Sequence, residues 1–284
     1  MTTSNESVRY TAKSELGKPW RLLKDMIFDL RGSRFIAYRL FQRDIKAKYR
    51  QALLGYFWAF VPSILIAFGL VAASRANVIS IGETNLPYPA YVMLSMVLWQ
   101  TFVEALNAPL MSVTESKSML AKIKFPRESI VLAKVLEVFF NFLVKLILVV
   151  LLYFFYEMPI TWKAAFAFVG VLQLVLLGTF LGLLIAPLGV IYQDISRAVS
   201  VGTMVLFLIT PVVYPEPKAG IFATIVSMNP VTPLLVATRD LATTGILSNL
   251  GPALAVSTVS IVGLLVTWVI FRLSIPYVIE RMPS

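Results

Sequence analysis

Lys134, Glu137, Asn141 and Lys145 lie three, four and four residues apart inside the otherwise apolar stretch Ile130–Phe154, so a helix there carries all four on one face. Ionisable groups in such surroundings do one of two jobs. They line a hydrated or substrate-contacting wall, or they hold helices together, with the two lysines reaching toward polar ground. Both readings stand on the sequence. Glu104, within the apolar stretch Tyr88–Leu110, lies at a depth that predicts pairing with Lys134. Enzymatic chemistry has little to work with. Neither cysteine nor histidine occurs among the 284 residues, which removes thiolate and imidazole metal sites, disulfides and every scheme built on Cys or His. Asp44, Glu115, Glu128 and Asp194 are scattered singly among cations, unlike the paired carboxylates with which a membrane-surface transferase holds a metal or removes protons. No Gly-x-x-x-x-Gly-Lys-Ser/Thr loop is present, so the chain is expected to need no cofactor of its own and to take its energy elsewhere.

The elements that carry these residues are membrane spans. Apolar residues make up 58% of the chain and charged ones 14%, outside the range of soluble domains. A helix needs about 20 apolar residues to cross about 30 Å of hydrocarbon. Six stretches qualify: Leu54–Ser74, Tyr88–Leu110, Ile130–Phe154, Ala164–Val190, Ala198–Pro215 and Gly251–Phe271. A further apolar stretch, Gly220–Ala242, is divided by Pro230 and Pro233 into pieces of about nine and about twelve residues, each too short to cross. It reads as two re-entrant helices, which a bilayer tolerates where protein or water covers the broken backbone. A seventh span kinked at its prolines is the alternative.

Charge gives the orientation. Positions 1–53 hold 12 of the 25 Lys and Arg residues. With the N-terminus inside, the inner segments hold 20 and the outer ones four, which places both termini in the cytoplasm and the broken helices outward. Basic residues that run straight into apolar spans mark a cytoplasmic membrane face and not nucleic-acid binding. Met1–Lys18 is polar and leads into no cleavable apolar leader, so the first span is expected to remain. Arg34–Arg50 mixes Phe35, Ile36, Leu40, Phe41 and Ile45 with Arg39, Arg43, Lys46, Lys48 and Arg50, the pattern of an interfacial helix with its apolar side toward acyl chains. Leu23, Met26, Ile27 and Leu30 have the spacing of a second, shorter helix. The expected fold is an all-α integral membrane protein with six transmembrane helices, an N-terminal amphipathic interface helix and two short re-entrant, outward-facing helices. Its parts are a polar cytoplasmic segment (1–33), the interface helix (34–53), the membrane domain (54–273) with a cytoplasmic loop (111–129) and the re-entrant pair (216–245), and a cytoplasmic tail (274–284).

Three motifs narrow this. Arg43-Asp44-Ile45-Lys46-Ala47-Lys48-Tyr49-Arg50-Gln51 leads into Leu54-Gly55-Tyr56-Phe57-Trp58-Ala59-Phe60-Val61-Pro62. Leu120-Ala121-Lys122-Ile123-Lys124-Phe125-Pro126-Arg127 occupies the second inner loop, and Asn229-Pro230-Val231-Thr232-Pro233-Leu234 the broken outer segment. In that order and on those sides they resemble the entry to the first span, the ATPase-contacting loop and the gate-helix motif of type-two ABC exporter permeases for O-antigen, capsule and teichoic acid. Tyr192-Gln193-Asp194 departs from the resemblance, for the family often has Arg at the middle position.

The resemblance implies a permease of a bacterial inner (cytoplasmic) membrane, paired with a second copy of itself and with two copies of an ABC ATPase that holds the ATP and Mg. Its cargo would be a polyprenyl-pyrophosphate-linked glycan, O-antigen first, with teichoic acid, capsule or small-molecule and drug export as alternatives. An integral membrane glycosyl or phosphoglycosyl transferase is the remote alternative, and a secondary transporter would work without an ATPase and show an inverted repeat. Lys122, Phe125, Pro126 and Arg127 are the candidate ATPase-coupling residues, and Asn229, Pro230 and Pro233 those of the gate. Arg43 and Arg50 are the candidates for a lipid headgroup or pyrophosphate, since several donors suit a phosphate. A sugar polymer needs aromatic faces along its conduit, and Tyr56, Phe57, Trp58, Phe60, Phe207 and Tyr214, with Glu137 and Lys145, are the candidate lining. An interfacial aromatic belt is the competing reading for those rings. Gly178 and Gly182 read as a close-packing surface.

Overall fold

The computed structural model describes residues 19–50, 55–76, 82, 84, 86–116, 119–120, 125–158, 161–248 and 250–280. Among them the chain is helical, with no strand. In order come α1 (Pro19–Arg50), a 3-10 turn (Gly55–Ala59), α2 (Val61–Arg75), α3 (Tyr88–Glu115), α4 (Glu128–Phe155), a second 3-10 turn (Trp162–Phe166), α5 (Ala167–Ile191), α6 (Gln193–Leu208), α7 (Ile221–Met228), α8 (Val231–Thr243) and α9 (Leu250–Glu280).

Four of these, α3, α4, α5 with its leading turn, and α9, are long and apolar enough to cross a membrane. The first and fifth expected spans emerge shorter. α2 has 15 residues because Pro62 marks its first turn, a position where a missing N–H costs nothing. α6 has 16 residues and is left at Ile209, two residues before Pro211, whose ring disfavours helical backbone in the residue before it. By length and composition, four of the described helices qualify as membrane spans, or five if the bent pair α7–α8 counts as one.

α3 stands at the centre: 72% of its apolar window is buried, against 22% for α9 at the rim. It packs most closely on α5, where the two glycines remove the side chains that would hold the helices apart. A Cβ on Gly178 would lie 2.8 Å from the Phe102 carbonyl oxygen, and one on Gly182 would strike the Leu106 carbonyl. Both obstacles are backbone and cannot rotate away. Gly178→Leu is therefore expected to force α3 and α5 apart and to abolish a monodisperse folded protein, read by size exclusion in detergent, whereas the same change at Gly202, which meets nothing, is expected to be tolerated.

The two N-terminal patterns join in one 32-residue helix, α1. Gly32 does not break it, and the Ser33 hydroxyl donates back to the Asp29 carbonyl at 2.6 Å. Its apolar residues divide between two faces. Ala37 and Leu40, with Ile36 and Phe41, pack into a cluster with Val113 of α3, Ile130 and Ala133 of α4 and Phe271 of α9. Phe28, Phe35 and Tyr38 face outward, with the Arg39 guanidinium 5.1 Å from the Phe35 ring centre. The helix thus buries one side in its own protein and keeps a second, aromatic and cationic side free for an interface.

Candidate transport site

The break between α7 and α8 follows from its sequence. Pro230 brings no N–H and drives Asn229 out of helical backbone, to φ −74° and ψ 117°. The buried Asn229 side chain then secures the corner: its Oδ1 accepts from the Val231 N–H at 3.0 Å and its Nδ2 donates to Thr210 Oγ1 at 2.7 Å. The two helices meet at 85°. Pro230 is exposed at the corner and Pro233 is buried in the first turn of α8.

Arg239, one of the four cations that the charge count assigns to outer segments, is buried at 6% exposure. Its guanidinium lies 4.2 Å from the Tyr91 ring centre and its Nη1 donates to Ser95 Oγ (3.1 Å) and to the Pro211 carbonyl (3.0 Å). The Tyr91 hydroxyl donates to the Tyr214 carbonyl at 2.8 Å and that of Tyr88 to Val213 at 2.9 Å. One arginine and two tyrosines thus fasten α8, the start of α3 and the chain after α6 together. The sequence held one signal for this, a cation inside the apolar stretch Gly220–Ala242.

The polar face of α4 is turned to neighbouring helices. Lys145 Nζ and Asn141 Nδ2 both donate to Glu104 of α3. The expected pairing of Glu104 with Lys134 is corrected: Lys134 lies nearer the start of α4, where Glu115 ends α3, and it takes Glu115 at 2.6 Å, Glu137 at 3.0 Å and Asp44 at 3.6 Å. Helices α3 and α4 run antiparallel, so Lys145, eleven positions further along α4, meets Glu104, eleven positions back along α3. Glu137 also accepts from Lys48 of α1 at 3.0 Å. Lys145 is 2% exposed and the Glu137 side chain 13%. At the same end Arg272 of α9 holds Asp29 of α1 (2.6 Å) and Glu128 of α4 (2.9 Å).

Lys122 lies outside the described residues. Phe125 packs against the α1–α3–α4 cluster, and Pro126 and Arg127 are half-buried beside it. Arg43 is exposed, bonded to Asp44 at 2.8 Å, and Arg50 is exposed at the end of α1. Tyr56, Phe57 and Trp58 are exposed, Tyr56 standing 5.8 Å from the ring of Phe140, while Phe60 is half-buried. Phe207 is half-buried against Trp99 at 5.6 Å, and Tyr214 lies beside Phe222 of α7. Tyr192 is exposed, as is the ion pair of Asp194 with Arg197 at 3.4 Å; the side chain of Gln193 lies outside the described residues.

Residues 37–242 match the sequence profile of the ABC-2 type transporter family. The chain belongs to that family. It is an ABC transporter permease, a multi-pass membrane subunit whose transport is driven by ATP hydrolysis on a partner. The permease is similar to an O-antigen export system permease protein, RfbA, of Klebsiella pneumoniae, with 26% identity over 72% of this chain and 79% of that one. It is also similar to the RfbA of Myxococcus xanthus, with 25% identity over 85% of this chain and 92% of that one. The matched region of the permease takes in the second half of α1, the α4 polar face and the bent pair up to Ala242.

Proposed function

We propose that this permease moves a lipid-linked polysaccharide, O-antigen in the first instance, out across a bacterial inner membrane, as two copies of this chain with two copies of an ABC ATPase. One observation carries the reading. The bent pair is joined to the first third of the 28-residue α3 at Ser95, and the α1 ion pairs and the loop toward the ATPase lie at its C-terminal end at Glu115, about 30 Å away at about 1.5 Å per residue. A cytoplasmic platform and a gate at opposite faces of one rigid helix are what an outward exporter needs. With 12 of the 25 Lys and Arg residues at positions 1–53, the platform end is the cytoplasmic one, with both termini there.

The residues then take roles. Lys122, Phe125, Pro126 and Arg127 belong to the loop that meets the ATPase, and the exposed Asp194–Arg197 pair stands at the next cytoplasmic turn. Arg43 and Arg50 meet anionic headgroups or the pyrophosphate. Asn229, Pro230 and Pro233 form the gate. Exposed Tyr56, Phe57 and Trp58 offer ring faces to sugars at the inner mouth. The relatives named for O-antigen export favour that cargo over capsule, teichoic acid or a small drug.

Proteoliposomes holding the permease and its ATPase, loaded with a fluorescent polyprenyl-pyrophosphate glycan, test this. Glycan is expected to reach the opposite leaflet only with ATP. Movement without the ATPase, or ATP-dependent movement of a drug and not of glycan, would overturn the proposal.

A further inference from the structure

The Lys134 ammonium stands among three carboxylates from three helices: Glu115 of α3 at 2.6 Å, Glu137 of α4 at 3.0 Å and Asp44 of α1 at 3.6 Å. An ammonium has three N–H donors, so it can hold all three carboxylates at once. The contacts are graded: the shortest goes to Glu115 and the longest to α1. Glu115 is also the most exposed of the three. It is the last residue of α3, its side chain is 46% exposed against 13% for Glu137 and 19% for Asp44, and the cytoplasmic loop begins directly after it.

That loop touches α1 by a second route. Met119, Leu120 and Phe125 pack against the cluster that contains Ala37 and Leu40, and Arg43 Nη1 lies 3.9 Å from Met119 Sδ. The earlier half of α1 is fixed elsewhere, by Asp29 on Arg272. A shift of the loop that withdraws Glu115 would leave the ammonium to Asp44 and Glu137 and draw the later half of α1 toward α4. Glu115, the most exposed of the three carboxylates at 46%, is the partner most readily given up to solvent.

We infer that Lys134 is the positioning residue through which displacement of the cytoplasmic loop is passed to α1. This rests on the proposed ATP-driven reading, and the experiment separates the two. The chain has no cysteine, so spin labels placed at Lys46→Cys on the later half of α1 and Met111→Cys on α3, both exposed, are the sole thiol sites in the permease. In the complete complex with its ATPase, ATP binding is expected to change their separation by about 1–2 Å. Lys134→Arg is expected to keep that change, and Lys134→Met to lose it. Lys134→Met should also assemble normally and hydrolyse ATP while glycan moved per ATP falls about tenfold. An ATP-dependent distance change in Lys134→Met equal to that of the wild type would overturn the inference, as would loss of assembly in Lys134→Met alone, which would make Lys134 a structural fastening. Wild-type complex that moves no glycan with ATP would overturn the transport reading and this inference with it.

Discussion

Replacing Lys145 with Met is expected to destabilise the permease more than any other change to the polar face of α4. The ammonium is buried between α3 and α4, and Glu104 has Asn141 as its remaining bonded partner there. Breaking a buried ion pair from one side costs about 3–5 kcal/mol because the surviving charge is left without compensation. The Glu104 side chain is 32% exposed, which places the loss at the lower end of that range. The double change Glu104→Gln with Lys145→Met is expected to recover most of it, since the introduced amide still bonds Asn141 and no charge is stranded. Denaturant titration in mixed micelles reads both variants. Equal losses in the single and double variants would show that the pair does not couple the helices.

Arg239→Met removes the fastening of the bent pair. Its guanidinium stacks on Tyr91, a contact of about 2 kcal/mol when desolvated, and donates to Ser95 Oγ and the Pro211 carbonyl. Ser95 Oγ would be left buried without that donor, at about 1–3 kcal/mol, while the Pro211 carbonyl keeps the Tyr91 hydroxyl at 3.4 Å. These terms overlap, and a net loss of about 3 kcal/mol is expected, concentrated at the corner of α7 and α8. A cysteine placed at buried Thr232, unreactive toward a polar thiol reagent in the parent, is expected to label at least tenfold faster in the Arg239→Met background. Arg239→Lys should fall between, because a point charge cannot stack and fork as guanidinium does. Unchanged labelling in both variants would mean that α8 is held without Arg239.

Local pattern made much of this legible. The apolar periods of α3, α4, α5 and α9 set their identity, and the Asn229-Pro230 step set the break, because a proline acts on its own backbone and on the residue before it. The shared face of Lys134, Glu137, Asn141 and Lys145 was equally local, a consequence of 3.6 residues per turn. The α-helices α2 and α6 are shorter than the apolar stretches that contain them, because Gly55–Ala59 forms a 3-10 turn and Ile209–Pro215 leaves the helix before Pro211.

Partnership was another matter. Whether Glu104 meets Lys134 or Lys145, whether Phe35 faces outward while Ala37 faces the core, and whether Arg239 points outward or into α3 all depend on how far one helix is slid and rotated against its neighbour. Those offsets are set where backbones touch, as at Gly178 and Gly182 against α3, between residues distant in sequence. The sequence by itself determined a helical membrane protein with a basic N-terminal end, a helix pair broken at proline and a polar face on α4. Tertiary structure alone decided which charge meets which, because a helix period fixes angles about one axis and says nothing of the height of the next.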